Sequence, residues 1–199
     1  MDVGAGVITT ASQPSIRHLK DGDPVAWRWF LDSFGGLIAG YARQKGALDP
    51  DEISGATMEN VARAIGSFEG NHRMFRSWVF SVAHSCIVDD FRRRDRRKEM
   101  ALPEATMERI PAPILEEGFA DPDLIEAMRG LGEDQRSLIF LRYVMGFSMK
   151  EIGFVVDRSE AATRLAIHRT QRALRKRLSD ASLEHTEGRA PSAQGVDGR

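Results

Sequence analysis

The chain has 199 residues, 42% apolar and 29% charged, which is enough for one ordinary domain or two small ones in a globular protein. Its formal net charge of −1 gives nucleic-acid binding no support from the total, so only the distribution of charge can argue for it. No apolar run is long enough for a bilayer-crossing helix, and the single cysteine, Cys86, excludes an intramolecular disulfide and fits a reducing, cytoplasmic compartment.

Residues 1–15 have no positively charged start and no long apolar stretch, so they read as a mobile arm and not as a signal peptide. The periodicity then turns helical almost throughout, with no convincing strand pattern. "DGDPVAW" opens the first helix, with Asp23 as the cap and Pro24 in the first position. Trp27, Phe30, Leu31, Phe34, Ile38 and Tyr41 fall three or four apart on one face, and Gly46 ends the helix. A second helix opens at Asp49, Pro50 and Glu52, close to a capping box, and carries Ile53, Thr57, Val61, Ile65 and Phe68 as its stripe. "SFEGNHR" (67–73) reads as a loop. A third helix follows, with Phe75, Trp78, Val79, Val82, Cys86, Ile87 and Phe91 on one side. Three such helices can bury one small core.

The composition changes after residue 97. From Glu99 to Glu126 there are eight acidic residues and one basic residue, with four prolines, so 98–121 reads as an acidic linker between domains. Helical signals resume at Asp121 and Pro122. "EDQRSLIFLRYVMG" forms a helix closed by Gly146. "SMKEIGFVV" opens with a Ser148–Glu151 capping box, "DR" breaks the chain, and Ser159 caps a last helix running to about Leu178. Residues 179–199 are polar and Gly-rich and read as a disordered tail. The expected fold is all-α: two small helical domains, 16–97 and 122–178, joined by a flexible linker.

Two segments carry the charge that the total hides. Residues 148–178 have the form of a helix-turn-helix, in which the second helix places Arg164, His168, Arg169, Arg172, Arg175, Lys176 and Arg177 against one acid, Glu160. Such a helix can read base edges with its first turns and hold phosphates with later arginines. Residues 70–98 interleave Phe75, Trp78, Phe80 and Phe91 with Arg73, Arg76 and a run from Arg92 to Lys98 in which six of seven residues are basic. Aromatic groups beside arginines suit single-stranded nucleic acid. Most of those aromatics share the core stripe; Phe80 lies off it and is the one expected to be exposed. Positive charge at a helix C-terminus also complements the macrodipole, which accounts for one or two of the arginines.

Catalysis finds little support. The five histidines are scattered, and His84 and Cys86, two apart on a helix, face different ways and make a poor metal pair. No Gly-rich phosphate loop or nucleophile elbow is present. No enzyme activity, metal or cofactor is expected.

The blocks "GDPVAWRWFLDSF", "FRSWVFSVAHSCIVDDFRRRDRR", "LGEDQRSLIFLRYVMGFSMKEIG" and "IHRTQRALRKRL" together resemble bacterial RNA polymerase sigma factors of the extracytoplasmic-function (ECF) class, in the sigma-70 family. They stand in the family's order and spacing over about 20–97 and 122–178. This resemblance implies that 16–97 is a region 2-like domain. There Asp51, Glu52, Met58, Glu59 and Arg63 would meet the clamp helices of the core polymerase. The loop Gly70, Asn71, His72 and Arg73 would capture a flipped base of the minus-10 element. Arg76, Trp78, Arg92, Arg93, Arg94, Arg96 and Arg97 would contact and melt the promoter. It further implies that 122–178 is a region 4-like domain reading the minus-35 element with Arg158, Ser159, Glu160, Thr163, Arg164, His168, Arg169 and Arg172. The implied partners are core polymerase, promoter DNA and an anti-sigma factor, with no membrane insertion.

The chain departs from the family pattern at Ser54 and Gly55, where an acidic pair is usual, and at Ala166, where a basic residue is frequent. The free chain is expected to bind DNA weakly, because the acidic linker competes for the basic surfaces. Rival readings are a stand-alone helix-turn-helix regulator and a protein-interaction module such as an anti-sigma factor.

Overall fold

A computed structural model describes residues 14–100 and 122–187. Most of the predicted arm, nearly all of the predicted linker, and residues 121 and 188–199 lie outside the described residues, so the expected cap at Asp121 does too. Among those described, every regular element is helical.

The first half contains α1 (Ile16–Lys20), α2 (Pro24–Gln44), α3 (Pro50–Ala64), a 3₁₀ turn (Ile65–Ser67) and α4 (His72–Met100). The caps read from sequence form as local chemistry dictates. Asp23 accepts from the Val25 amide at 2.8 Å and Asp49 from the Glu52 amide at 2.8 Å. Gly46 leaves α2 at φ +83°, a left-handed position that favours glycine. The short α1 went unread in the sequence. Ser15 caps it, Leu19 is buried, and Trp27 Nε1–H donates to the Leu19 carbonyl at 3.1 Å, tying α1 to α2.

The core of this half is aromatic. Phe75 is fully buried, with ring centroids 5.8 Å from Phe30, 6.0 Å from Phe34, 5.5 Å from Phe68 and 5.9 Å from Trp78. Offset and edge-to-face contacts at these separations stabilise beyond area burial alone.

The second half contains α5 (Pro122–Arg129), α6 (Glu133–Ile139), a π-helical turn (Phe140–Val144), α7 (Met149–Val155) and α8 (Glu160–Glu187). Gly146 closes the π turn at φ +67°, as expected of it. A small apolar cluster of Met128, Leu131 and Ile139 packs with Leu174 of α8.

The two halves share one continuous core. Phe140 lies against Tyr41 at 6.2 Å between centroids, and Phe147 meets Phe80 edge-on at 5.6 Å. Phe80 is therefore fully buried, and the expectation that it is exposed is overturned. It lies off the stripe of its own helix because it packs between Tyr41 of α2 and Phe147 of the other half.

Two boundaries also move. The helix expected to stop near Leu178 continues to Glu187 as α8, so the tail does not begin at 179. "SDASLEHTE" contains no glycine or proline, and Ser179 Oγ donates back to the Arg175 carbonyl at 3.0 Å, a bond that fits inside a helix. In the loop expected over 67–73, His72 and Arg73 form the first turn of α4 instead. Asn71 sets that start by accepting from the Met74 amide at 3.0 Å.

Candidate nucleic-acid interface

The helix-turn-helix is built from local chemistry. Ser148 Oγ accepts from the Glu151 amide at 3.3 Å, while the Glu151 carboxylate accepts from the Ser148 amide at 2.8 Å, which fixes the start of α7. The chain turns through Asp157 at φ +52°, and Ser159 Oγ accepts from the Ala162 amide at 3.2 Å to start α8. Gly153 permits the tight approach of the two helices. A Cβ there would stand 2.6 Å from the Arg158 carbonyl oxygen and 3.2 Å from Thr163 Oγ1.

On α8, Glu160, Arg164, His168, Arg169 and Arg172 are exposed, as are Arg158 and Ser159 just before it. Arg164 pairs with Glu160 at 2.7 Å, one turn away. Thr163 does not belong to this face. It is fully buried, and its hydroxyl donates to the Ser159 carbonyl at 2.9 Å, so it positions the helix. The spacing of Thr163, Ile167 and Thr170, all buried, marks one inward stripe that the sequence already contained. Ala166 is half-buried beside that stripe. Arg177 is also drawn away from the outward face, since its guanidinium packs over Gly130 at the end of α5.

Two apolar members of the outward face escaped the sequence reading. Ala161 and Leu165 line a shallow surface depression with Glu160, Arg164 and His168, and Leu165 is half exposed. Their spacing at 161 and 165, in register with His168 and Arg172, was the available signal.

The other basic surface starts at α4. Gly70 and Asn71 are exposed in the loop, and Arg73 is exposed on the first turn. Arg73 is already engaged, with Nε and Nη2 donating to the two carboxylate oxygens of Glu151 at 2.6 and 3.0 Å. Arg76 reaches the same neighbour helix region. Its Nη2 donates to the Met145 carbonyl at 2.7 Å and its guanidinium lies 5.4 Å from the Phe147 ring centroid. Trp78 is half-buried against Phe68 at 5.0 Å, so packing occupies one of its faces.

At the far end of α4, Arg92 pairs with Asp89 at 3.5 Å, and Arg93 and Arg94 pair with Asp90 at 3.4 and 2.9 Å. Arg94 also lies over Phe91 at 4.6 Å. Arg96 is exposed; the side chain of Arg97 lies outside those described.

On α3, Asp51, Glu52, Glu59 and Arg63 are exposed and Met58 is half-buried, with Glu59 and Arg63 paired at 2.7 Å. The departure at Ser54 has a packing reason. Ser54 is buried and its hydroxyl donates to the Gly35 carbonyl of α2 at 3.1 Å. A carboxylate there would face a carbonyl oxygen in a dry contact. The exposed acids therefore stand one turn earlier.

Three titratable groups near the seam between the halves are strongly perturbed. Burial, followed by the nearby Lys45 charge, pushes the His84 pKa down to about 4. Burial also raises the Tyr41 pKa, so both groups stay neutral in their 2.9 Å contact between the Tyr41 hydroxyl and His84 Nδ1. Burial raises the Glu151 pKa, but hydrogen bonds from Arg73 and Ser148 outweigh it and hold the value at about 2.

Both shifts act in the same direction. The unfolded chain protonates its histidine and carboxylate first, so the stability that these two groups contribute is fully present above pH 6.5. It falls toward pH 4 through His84, and below pH 4.5 through Glu151. After screening by the exposed part of the ring, the His84 segment should amount to about 2 kcal/mol. Urea midpoints measured against pH test this. His84→Gln should flatten the profile between pH 6.5 and 4.5, and a wild-type profile already flat there would contradict it.

The sequence matches the family described as Sigma-70 region 2 over residues 30–97, and the family described as Sigma-70, region 4 over residues 122–174. It is 27% identical over 144 residues to the ECF RNA polymerase sigma factor BldN of Streptomyces coelicolor, covering 70% of this chain and 54% of that one. It is 26% identical over 164 residues to SigF of Caulobacter vibrioides, covering 79% of this chain and 88% of that one. The chain thus spans about half the length of BldN and most of SigF. Among solved structures, CnrH in complex with the cytosolic domain of CnrY is similar in fold (TM-score 0.56, 23% identity, 83% of this chain and 95% of that one). So is the sigma factor RpoE in complex with the anti-sigma factor NepR from Bartonella quintana (TM-score 0.58, 18% identity, 76% of this chain and 96% of that one). With both regions present in order on an all-helical fold, the chain belongs to the sigma-70 family of RNA polymerase sigma factors, in its extracytoplasmic-function class.

Proposed function

We propose that this chain binds bacterial core RNA polymerase and directs it to promoters, where it recognises and melts DNA. The observation that carries this reading is the pairing of two different nucleic-acid surfaces in one chain. One is an outward recognition helix with Glu160, Arg164, His168, Arg169 and Arg172 exposed. The other is the loop and first turns of α4, with Gly70, Asn71, Arg73 and Arg76, continued along the helix to the arginines beyond Phe91. A duplex reader alone needs only the first of these.

The roles divide by chemistry. Glu160 suits a cytosine amino group and Arg164 a guanine edge, while Ala161 and Leu165 suit thymine methyl groups. Residues 70–73 stand where a flipped base would be held, and Asp51, Glu52, Met58, Glu59 and Arg63 form the surface for the polymerase clamp. The two tasks divide between the halves expected at 16–97 and 122–178, with α4 carrying the first on to Met100 and α8 the second on to Glu187. Residence in the cytoplasm, with polymerase, follows from the same reading, as does restraint by an anti-sigma partner.

The test is co-migration of the chain with bacterial core polymerase on a sizing column, followed by footprinting of the complex on selected promoter DNA. Two separated blocks of protection, one of them containing reactive unpaired bases, are expected. Protection of a single duplex block without polymerase would return the chain to a stand-alone regulator.

The arginine run gives a further expectation. Arg93→Gln with Arg96→Gln should flatten the salt dependence of promoter binding by about 1.8 in the log–log slope, because two phosphate contacts release fewer counterions. An unchanged slope would mean that these groups only solvate the helix end.

A further inference from the structure

Aromatic rings beside arginines pointed to single-stranded DNA along α4, but the fold has already used those rings. Phe75 and Phe80 are fully buried. Trp78 packs with its ring centroid 5.0 Å from Phe68 and 5.9 Å from Phe75. Phe91 is half-buried, and the Arg94 guanidinium lies 4.6 Å from its centroid. A base drawn out of a duplex still needs an apolar surface to replace its lost stacking.

One side chain on this surface is left for that purpose. Met74 is 53% exposed, the large apolar residue of α4 most open to solvent among the described residues. It stands about 100° round the helix from Arg73 and one turn before Trp78, so Met74 and Trp78 share a side of α4. Its place relative to the loop is fixed twice. Asn71 Oδ1 accepts from the Met74 amide at 3.0 Å. The Met74 side chain also lies along Gly70, where a Cβ would stand 3.1 Å from Met74 Cβ, 3.2 Å from Sδ and 3.0 Å from the Phe68 ring. Gly70 adopts φ +154°, so position 70 stays bare. Phe68, the Gly70 backbone and the Met74 thioether thus form one wall beside the loop.

We propose that Met74 is the platform against which the base extruded from the minus-10 segment packs. The proposal rests on the promoter-binding reading and adds the apolar contact that reading lacks. A thioether suits the task. It is polarizable, turns about three bonds to follow the ring that arrives, and makes favourable contacts with aromatic systems. It carries no N–H or O–H, so it adds affinity without selecting the base edge. The edge is left to the Asn71 amide nitrogen, which is placed as the outer group because the amide oxygen accepts from Met74.

The test uses the complex of the full chain with bacterial core polymerase. The probe is a fluorescent fork DNA from a selected promoter, duplex upstream and single-stranded over the minus-10 segment. Each single-stranded nucleotide is replaced in turn by an abasic one. With the wild-type chain, one position should stand out with a loss of about tenfold in affinity. Met74→Ala should weaken binding of the intact fork by a similar factor. At that one position the abasic change should then cost the variant no more than about twofold further, because the base and its platform act as a pair. Losses at the other positions should be the same in both proteins.

Met74→Gln, polar and of similar length, should behave as Met74→Ala, while Met74→Leu should keep the wild-type pattern. A merely structural role for Met74 would lower all forks alike, so losses that simply add at every position would overturn the proposal. So would wild-type affinity in Met74→Ala, or a leucine variant as weak as the alanine one, since an apolar platform does not depend on the sulfur alone. Failure of the sigma-factor reading would show separately, as no co-migration of the wild-type chain with core polymerase.

Discussion

Replacing Arg164 and Arg169 together with glutamate should reduce sequence-specific promoter binding by the polymerase complex at least roughly a hundredfold. Each base contact of this kind contributes about 1–3 kcal/mol of discrimination, and the reversed charge also repels the neighbouring phosphates. Both side chains are exposed, and the ion pair of Arg164 is with Glu160 one turn away on the same helix, so the fold should be little affected. Surface changes of this sort usually stay within about 0.5 kcal/mol. The measurement is competition footprinting on duplex promoter DNA, with a urea midpoint on the same preparation. Wild-type affinity in the double variant would show that α8 does not read the duplex and would favour a pure protein-interaction role.

The second large effect is on stability. Phe75→Ala should cost about 3–5 kcal/mol, the range for deleting a fully buried aromatic ring that its neighbours cannot replace. Phe30, Phe34, Phe68 and Trp78 all have ring centroids within 6.0 Å of it, so the cavity opens among large side chains from three segments: α2, the turn after α3, and α4 itself. That cost is a large share of the 5–15 kcal/mol typical of a folded domain. Trp78 would lose the ring it leans on beside Phe68, so an assay of promoter melting should suffer even at temperatures where the variant stays folded. A shift in the urea midpoint equivalent to less than about 1 kcal/mol would contradict the packing described here.

What the sequence revealed and what it concealed divide by the range of the interaction. Asp23, Asp49, Ser148 and Ser159 each cap a helix through an amide two or three residues away, so the motif and its partner lie in one short window. Gly46 and Gly146 close helices through their own backbone angles. The helix-turn-helix was legible for the same reason.

The seam was not legible, because its pairs are far apart in the chain. Arg73 and Glu151 are separated by 78 positions and Lys45 and Asp134 by 89, and no local pattern links them. Phe80 shows the consequence. Judged against its own helix it had no core to join, and its partners are Tyr41 and Phe147. Thr163 is the reverse case. A threonine beside basic residues at the start of a recognition helix looked like a DNA contact, yet its spacing from Ile167 and Thr170 already placed it on the inward stripe. The unexpected length of α8 past Leu178 came from giving composition more weight than the absence of a helix breaker before Gly188.

The central claim is that this chain turns core polymerase into a promoter-specific enzyme complex. The most direct measurement is run-off transcription with bacterial core polymerase, with and without the chain, on templates chosen by selection with the reconstituted complex. Discrete transcripts of one defined start, appearing only with the chain and lost in the Arg164→Glu, Arg169→Glu variant, are the predicted result. No specific initiation from any selected template, or transcripts identical with and without the chain, would contradict it.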